Sequence, residues 1–355
     1  MKKKVLVAMS GGVDSSVACA LLKERGFEVT GVTLRLFDPG DKIDCCGSDS
    51  SGEKAREACD ALGMRHYFKD ARRYFSKNVV EKFAAAYLEG NTPNPCVECN
   101  RFLKFDYLFK IARALDMDYL ATGHYARIEE KNGEYSLLRG KDENKDQSYF
   151  LYCVGKERLK HVIFPLGELK KEETRKIAAG YGLAAAREKE SRDICFIPGG
   201  DYPAWLKRRK YAENAPGYIK DIKGKILGRH NGYFNFTVGQ RKNLGVSSGE
   251  RLYVVGINPA GNEVTVSGLE NACFSSFRLG GLDWLAGVKP EPGNRLCSQI
   301  RYRHKPCEGI VESFSSGSLV FRFFKKQFAV TAGQSAVFYE GERVLGGGVI
   351  EEAIR

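Results

Sequence analysis

Three features of this 355-residue chain combine residue types and spacings that could do chemistry: a Gly-Gly turn flanked by hydroxyls, a carboxylate inside that turn, and a set of cysteines in unusual supply. Ser10-Gly11-Gly12-Val13-Asp14-Ser15-Ser16 follows a short apolar run, Val5-Leu6-Val7-Ala8. It precedes a helical pattern from Val17 to Arg25, with Gly26 just past the end. A turn between a strand and a helix presents backbone N–H groups at a helix N-terminus, which suits a phosphate. Paired glycines let the backbone bend sharply toward an anion, and Ser10, Ser15 and Ser16 add hydroxyl donors. No Gly-Lys-Ser/Thr follows, so this is not a Walker A loop. Gly-Gly alone is equally compatible with a plain strand–helix turn capped by Asp14 or Ser15.

The chain has eleven cysteines. The basic start, Met1-Lys-Lys-Lys, leads into an apolar stretch that stops at Ser10, too short for a secretory leader. The thiols are therefore expected reduced, with any pairing catalytic or metal-binding. Cys96-Val97-Glu98-Cys99 and the distant Cys195 stand out, and only folding can bring them together. Their reactive form is the thiolate. Three thiolates with one open position would alternatively suit an iron–sulfur cluster, whereas a four-cysteine zinc site lacks its second Cys-x-x-Cys. Cys19, Cys59 and Cys153 lie on apolar faces and read as core, and the adjacent Cys45-Cys46 are given no role.

These residues must be positioned by a fold, and the pattern predicts an α/β one. Strands at 3–9, 27–36, from Tyr67, and 119–122 alternate with helices at 17–25, 53–62, 74–88 and 105–115. Alternation continues to about residue 195 and implies a doubly wound, mostly parallel sheet. After Pro198 the chain turns rich in Gly, Lys and short β-like pieces. From Phe274 six strands recur at short spacing, which predicts an antiparallel barrel. The expected division is 1–200, a small central β-rich domain over 201–270, and a barrel over 271–355, since one core rarely fills so long a chain. A net charge of +12 points to a polyanionic partner, with nucleic acid first. No apolar run approaches the roughly 20 residues that span a bilayer. A cytoplasmic protein with no membrane contact, monomeric when free, is expected.

The full Ser-Gly-Gly-Val-Asp-Ser-Ser string resembles the nucleotide loop of the ATP pyrophosphatase superfamily, which adenylates a substrate oxygen and releases pyrophosphate. Other segments resemble one branch of it, the tRNA-specific 2-thiouridylases: Thr92-Pro-Asn-Pro-Cys-Val-Glu-Cys-Asn100 with Leu103-Lys-Phe105, Ala121-Thr-Gly-His-Tyr125, Lys145-Asp-Gln-Ser-Tyr-Phe150, Ile194-Cys-Phe-Ile197, Thr237-Val-Gly-Gln-Arg-Lys242 and Gly333-Gln-Ser-Ala-Val337. They occur in family order over nearly the whole chain. The resemblance implies an adenine nucleotide alpha hydrolase-like first domain and ATP over Ala8, Met9, Ser10, Gly11, Gly12, Val13, Asp14 and Ser15. Leu34 and Gly123 complete that nucleotide site, and Asp14 is a candidate Mg²⁺ ligand. It implies Cys195 as persulfide carrier and Cys99 as the nucleophile that resolves it to a Cys99–Cys195 disulfide. Asn94, Pro95 and Cys96 would meet the target base. His124, Lys145, Asp146, Gln147, Arg301, Tyr302 and Gln334 would meet tRNA.

One departure matters: the family often has Asp where this chain has Cys96. Without the resemblance, Lys141 to Gln147 would read as a solvated charge run. Basic stretches mixed with aromatics, Lys207-Arg-Arg-Lys210 and Arg301-Tyr-Arg-His-Lys305, suit phosphates and unstacked bases. The implied reaction is ATP-dependent 2-thiolation of the wobble uridine of tRNA, with sulfur supplied by a cysteine desulfurase or a relay carrier. The rivals are thiolation through an iron–sulfur cluster on Cys96, Cys99 and Cys195, an amide-forming ATP pyrophosphatase that needs neither cysteine pair nor barrel, and a tRNA-binding protein with a relic loop.

Overall fold

A computed structural model describes residues 2–38, 47–183, 194–287, 289–315 and 317–355; Cys45 and Cys46 lie outside them. The chain opens with β1 (Lys4–Ala8), α1 (Val13–Glu24), β2 (Glu28–Arg35), α2 (Asp49–Ala61) and β3 (Arg65–Asp70). A long helical stretch follows: α3 (Arg72–Phe75), a π-helical turn over Ser76–Val80, and α4 (Glu81–Leu88). Then come α5 (Pro95–Glu98), a π-helical segment Cys99–Tyr107, α6 (Leu108–Ala114) and β4 (Tyr119–Ala121). A hairpin of β5 (Ala126–Lys131) and β6 (Glu134–Arg139) precedes β7 (Val162–Ile163) and α7 (Lys171–Gly180).

Five strands form one parallel sheet in the order β3-β2-β1-β4-β7. Val5, Leu6 and Val7 of β1 are fully buried, as a central parallel strand covered on both faces requires. The order reverses between β1 and β4, so their carboxyl ends flank a crevice, the usual ligand position in such sheets. The doubly wound expectation is met. Helix α1 begins four residues earlier than the apolar pattern suggests, because Gly12 is extended (φ −83°, ψ 166°) and serves as N-cap.

The expected alternation breaks after β4, where the chain forms the β5–β6 hairpin instead of a helix. Its turn residues, Asn132 and Gly133, both have positive φ (53° and 79°), the Asn-Gly signature of a tight hairpin. β6 then pairs with a strand at the far end of the chain, Leu138 opposite Arg343.

Beyond α8 (Tyr202–Arg208) four strands, β8 (Gly217–Asp221), β9 (Ile226–His230), β10 (Tyr253–Asn258) and β11 (Glu263–Ser267), form a small sheet in the order β10-β11-β8-β9. The barrel comprises β12 (Cys273–Trp284), β13 (Arg295–Gln299), β14 (Cys307–Ser315), β15 (Ser318–Phe328), β16 (Ser335–Glu340) and β17 (Arg343–Ile354). It closes through β12–β17 pairing. All six strands fall where the sequence pattern puts them. Among the described residues no helix is long and apolar enough to cross a membrane.

The barrel is fused to the catalytic unit rather than tethered to it. One apolar cluster holds Val97, Phe105, Tyr149 and Tyr152 together with Val337, Tyr339 and Val344. The Tyr149 hydroxyl donates to the Ser335 carbonyl at 2.9 Å, and the Tyr152 hydroxyl lies 3.0 Å from Ser335 Oγ. Tyr149→Phe removes a buried donor and leaves that carbonyl short of a partner. We expect a loss of about 1–3 kcal/mol in urea unfolding, with an unchanged far-ultraviolet circular dichroism spectrum.

Candidate active site

The Ser10–Ser16 loop is built by its own hydroxyls and by two close backbone approaches. Ser15 Oγ accepts from Ser10 N–H at 3.2 Å and donates to the Gly12 carbonyl at 3.0 Å. Gly11 has φ +76°, and a β-carbon there would lie 2.3 Å from the Ser51 carbonyl oxygen at the start of α2. A β-carbon on Gly123, just past β4, would lie 2.9 Å from both the Asp14 carbonyl carbon and the Ser15 nitrogen. Two strand ends and a helix start are therefore in backbone contact. The first-turn N–H groups of α1 open at that point, as an anion site requires. Leu34, in β2, packs against two apolar clusters, one with Leu6 and Val32 and one with Leu36 and Phe75.

Asp14 is engaged from below. Lys171 Nζ lies 2.7 and 2.8 Å from its two carboxylate oxygens, and the Tyr125 hydroxyl lies 2.9 Å from Oδ1. Lys171 thus supplies the carboxylate with a counter-ion. Neither Lys171 nor Tyr125 drew a role from sequence. Tyr125 sits inside a quoted motif, but the spacing to Lys171 carries no signal.

His124, expected to meet tRNA, is 7% exposed. Its Nε2 lies 3.2 Å from Lys104 Nζ and its Nδ1 2.6 Å from Thr122 Oγ1. An ammonium can only donate, so Nε2 accepts and the ring proton sits on Nδ1, facing Thr122. Burial, and then the charge of Lys104, hold the imidazole well below its usual pKa. His124 is thus a neutral prop for Lys104. Lys104 stood in the cysteine motif without a role; it lies on the same π-helical segment as Cys99, and its ammonium reaches the histidine that follows Gly123.

Pro95 is the first residue of α5, with extended Asn94 as N-cap, a position that suits proline. Cys96 is in α5 and exposed; Cys99 opens the π-helical segment and is half-buried. π-Helical turns concentrate at functional sites. Asn100 anchors the segment through Nδ2 to the Phe150 carbonyl at 2.9 Å. Cys99 and Cys195, far apart in sequence, pack against the same apolar cluster around Phe75, Phe83 and Phe196. Cys99 and Cys195 are both half-buried, whereas Cys19, Cys59 and Cys153 are buried.

The barrel holds this segment from the other side. Thr92 N–H donates to the Ala332 carbonyl at 2.9 Å, and Gln334 Nε2 to the Thr92 carbonyl at 2.7 Å. Arg101 pairs with Asp283 of β12. Tyr302 stacks near Phe150, ring centres 4.5 Å apart, and its hydroxyl is pushed up by burial, with Asp146 and Cys96 adding to the shift. Arg301 and Tyr302 thus lie at the mouth of the segment, both half-buried. Asp146 is 9% exposed and accepts from Arg139 at 2.8 Å, from the Gly140 and Ser148 N–H groups and from Ser148 Oγ. Its side chain shapes the 141–147 loop, and Lys145 is the more accessible of the two. Among the described residues no group of three or more His, Cys, Asp or Glu side chains could hold a metal. As arranged, Cys96, Cys99 and Cys195 do not fit a three-thiolate cluster site.

Residues 3–199 match the family described as tRNA methyl transferase HUP domain, 206–268 the tRNA methyl transferase PRC-barrel domain, and 274–350 the aminomethyltransferase beta-barrel domain. The chain is 43% identical over 362 residues to a protein named tRNA-specific 2-thiouridylase MnmA from Carboxydothermus hydrogenoformans, covering 99% of each. It is 44% identical over 363 residues to tRNA-specific 2-thiouridylase MnmA 1 from Caldanaerobacter subterraneus subsp. tengcongensis, covering 100% of each. An NMN synthetase structure from Francisella tularensis is 16% identical over 58% of this chain and 73% of that one, with a TM-score of 0.36, too slight a likeness to argue from.

Two outcomes follow from the geometry. Gly123→Ala drives a methyl group into the Asp14–Ser15 backbone; ATP turnover should fall on the order of a hundredfold, as for a displacement of about 1 Å, and the thermal midpoint should fall with it. His124 binds its proton more weakly in the folded chain than in the unfolded one, whose value is 6.5. Its neutral form therefore stabilises the fold fully above that pH, and the contribution fades as pH falls below it. Urea unfolding at about pH 7.5 and 5.5 should show a larger acid-side loss for the wild type than for His124→Gln.

Proposed function

This chain belongs to the tRNA-specific 2-thiouridylases, and we propose that it uses ATP to replace the 2-oxygen of a tRNA uridine with sulfur. The target is the wobble uridine, a loop base that leaves its stack at small cost. The observation that best supports the reading is the meeting of Cys99 and Cys195 on one apolar cluster, beside a segment clamped by the barrel.

The uridine 2-oxygen attacks the α-phosphorus of ATP. An O–P bond forms, the bond to the β-phosphate oxygen breaks, pyrophosphate leaves, and N3 gives its proton to solvent. The N–H groups at the α1 N-terminus and the loop hydroxyls offset the charge on the departing pyrophosphate. Lys104, on the segment that carries Cys99, supplies a cation to the site. The terminal sulfur of a Cys195 persulfide then bonds to C2, and AMP leaves. Cys99 thiolate attacks Cys195 Sγ, breaking the S–S bond; the electron pair stays on the sulfur now on the base, which regains its N3 proton. The disulfide left between Cys99 and Cys195 is reopened by two electrons from a cellular thiol.

Asn94, Pro95 and Cys96 face the target base in this reading. Lys145, Gln147, Arg301, Tyr302 and the exposed Lys207–Lys210 run hold tRNA phosphates and stacked bases. Gln334 acts through Thr92. Mg²⁺ offsets phosphate charge when it arrives with the nucleotide. A sulfur-donor protein loads Cys195, and the enzyme works in the cytoplasm as a monomer.

Cys99→Ser and Cys195→Ser should each reduce 2-thiouridine to background in nucleosides analysed by mass spectrometry, with tRNA-dependent pyrophosphate release retained. Thiouridine formed by either variant would remove the assigned roles. Thiolation that tracks iron content in anaerobically purified protein would favour the cluster route instead.

A further inference from the structure

The loop over residues 142–147 is joined to Asp14 of the nucleotide loop by two separate routes. Along the first, Asp142 Oδ2 accepts from the backbone N–H of Lys171 at 2.9 Å. Lys171 is the opening residue of α7 and 8% exposed, and its Nζ grips both Asp14 oxygens at 2.7 and 2.8 Å. Along the second, Gln147 exchanges two hydrogen bonds with the Tyr125 backbone. Its Oε1 accepts from Tyr125 N–H at 3.0 Å, and its own N–H donates to the Tyr125 carbonyl at 2.9 Å. The Tyr125 hydroxyl then lies 2.9 Å from Asp14 Oδ1 and 2.9 Å from Thr174 Oγ1.

The routes run through buried side chains to a carboxylate that is 34% exposed. Tyr125 is 2% exposed and Thr174 0%. Thr174 is on α7, so the second route also braces the helix that carries Lys171. Charge-assisted bonds in such surroundings are short and directional. A shift of the 142–147 loop would strain its bonds to Tyr125 and to the start of α7, and a shift of either would strain their bonds to Asp14. Asp14 in turn lies one residue inside α1 and in backbone contact with Gly123.

We propose that Tyr125 and Lys171 are positioning residues that couple the two loops, so that tRNA held at 142–147 raises the affinity of the Ser10–Ser16 loop for ATP. This rests on the reading of Lys145 and Gln147 as tRNA contacts. tRNA fixes the loop, the loop fixes Tyr125 and α7, and the nucleotide meets a phosphate cradle already ordered. Ordering that one ligand has brought about need not be supplied by the second, which makes the coupling positive. Linkage makes it reciprocal: ATP raises tRNA affinity by the same factor.

The test is equilibrium binding of a non-cleavable ATP analogue, with and without unmodified tRNA transcript, to the full-length wild type, Tyr125→Phe, Lys171→Met and Lys171→Arg. For wild type, tRNA should lower the analogue's Kd on the order of tenfold. That ratio should fall toward one in Tyr125→Phe and Lys171→Met, and recover in part in Lys171→Arg. A merely structural role would weaken the analogue equally with and without tRNA, leaving the ratio intact, and would overturn the proposal. A wild-type ratio of one, with both ligands bound, would also overturn it. Wild type that bound neither ligand would instead overturn the functional reading. Should Tyr125→Phe fail to fold, the Lys171→Met and Lys171→Arg pair decides the matter alone.

Discussion

Two backbones come within side-chain distance of each other where Gly123 meets the first turn of α1, and the rest of the site follows from that contact. It is possible only because the strand end lacks a β-carbon. It fixes the carboxyl end of β4 against the start of α1, at the reversal of strand order where a parallel sheet opens a crevice. The residues that follow, His124 and Tyr125, then have no freedom of direction. One turns inward to prop Lys104; the other reaches beneath the loop to Asp14. A three-residue sequence thereby organises the nucleotide side of the site without any of its side chains needing to touch nucleotide.

The sulfur side is built on a different principle. Its cysteines sit on short, irregular helix: four residues of α5 running into a π-helical segment. Such a stretch has little intrinsic stability. Its position comes from neighbours on both flanks: Asn100 bonded to Phe150, Val97 in the shared apolar cluster, and Thr92 stitched to the 332–334 turn of the barrel. The barrel thus helps set where Cys96 and Cys99 lie.

What could be read from the chain beforehand was what depends on local pattern. The buried strand before Ser10, the alternation that makes the parallel sheet, and six evenly spaced barrel strands each leave a periodic trace. The nucleotide loop and cysteine segment were legible because their residue strings resemble a family's. Lys171 was not, because a buried lysine at the start of a helix looks like any surface lysine until its partner is known. His124 and Asp146, expected to meet tRNA, are both buried; polar residue type does not reveal whether a group meets solvent or a buried donor. The β5–β6 hairpin had a signal in Asn132-Gly133 that the expected alternation overrode.

The pairing of β6 with β17 has a consequence for how the chain is made. Leu138 belongs to the catalytic unit, and its partner Arg343 is synthesised after the central sheet and most of the barrel. Until β17 emerges from the ribosome, the outer edge of β6 has no strand beside it and β12 lacks one of its two neighbours. Closing so long a loop is slow, and an open strand edge invites pairing with other chains. The nascent protein therefore carries a period of exposure whose length is set by translation, and the last strand ends it by completing two parts of the molecule at once.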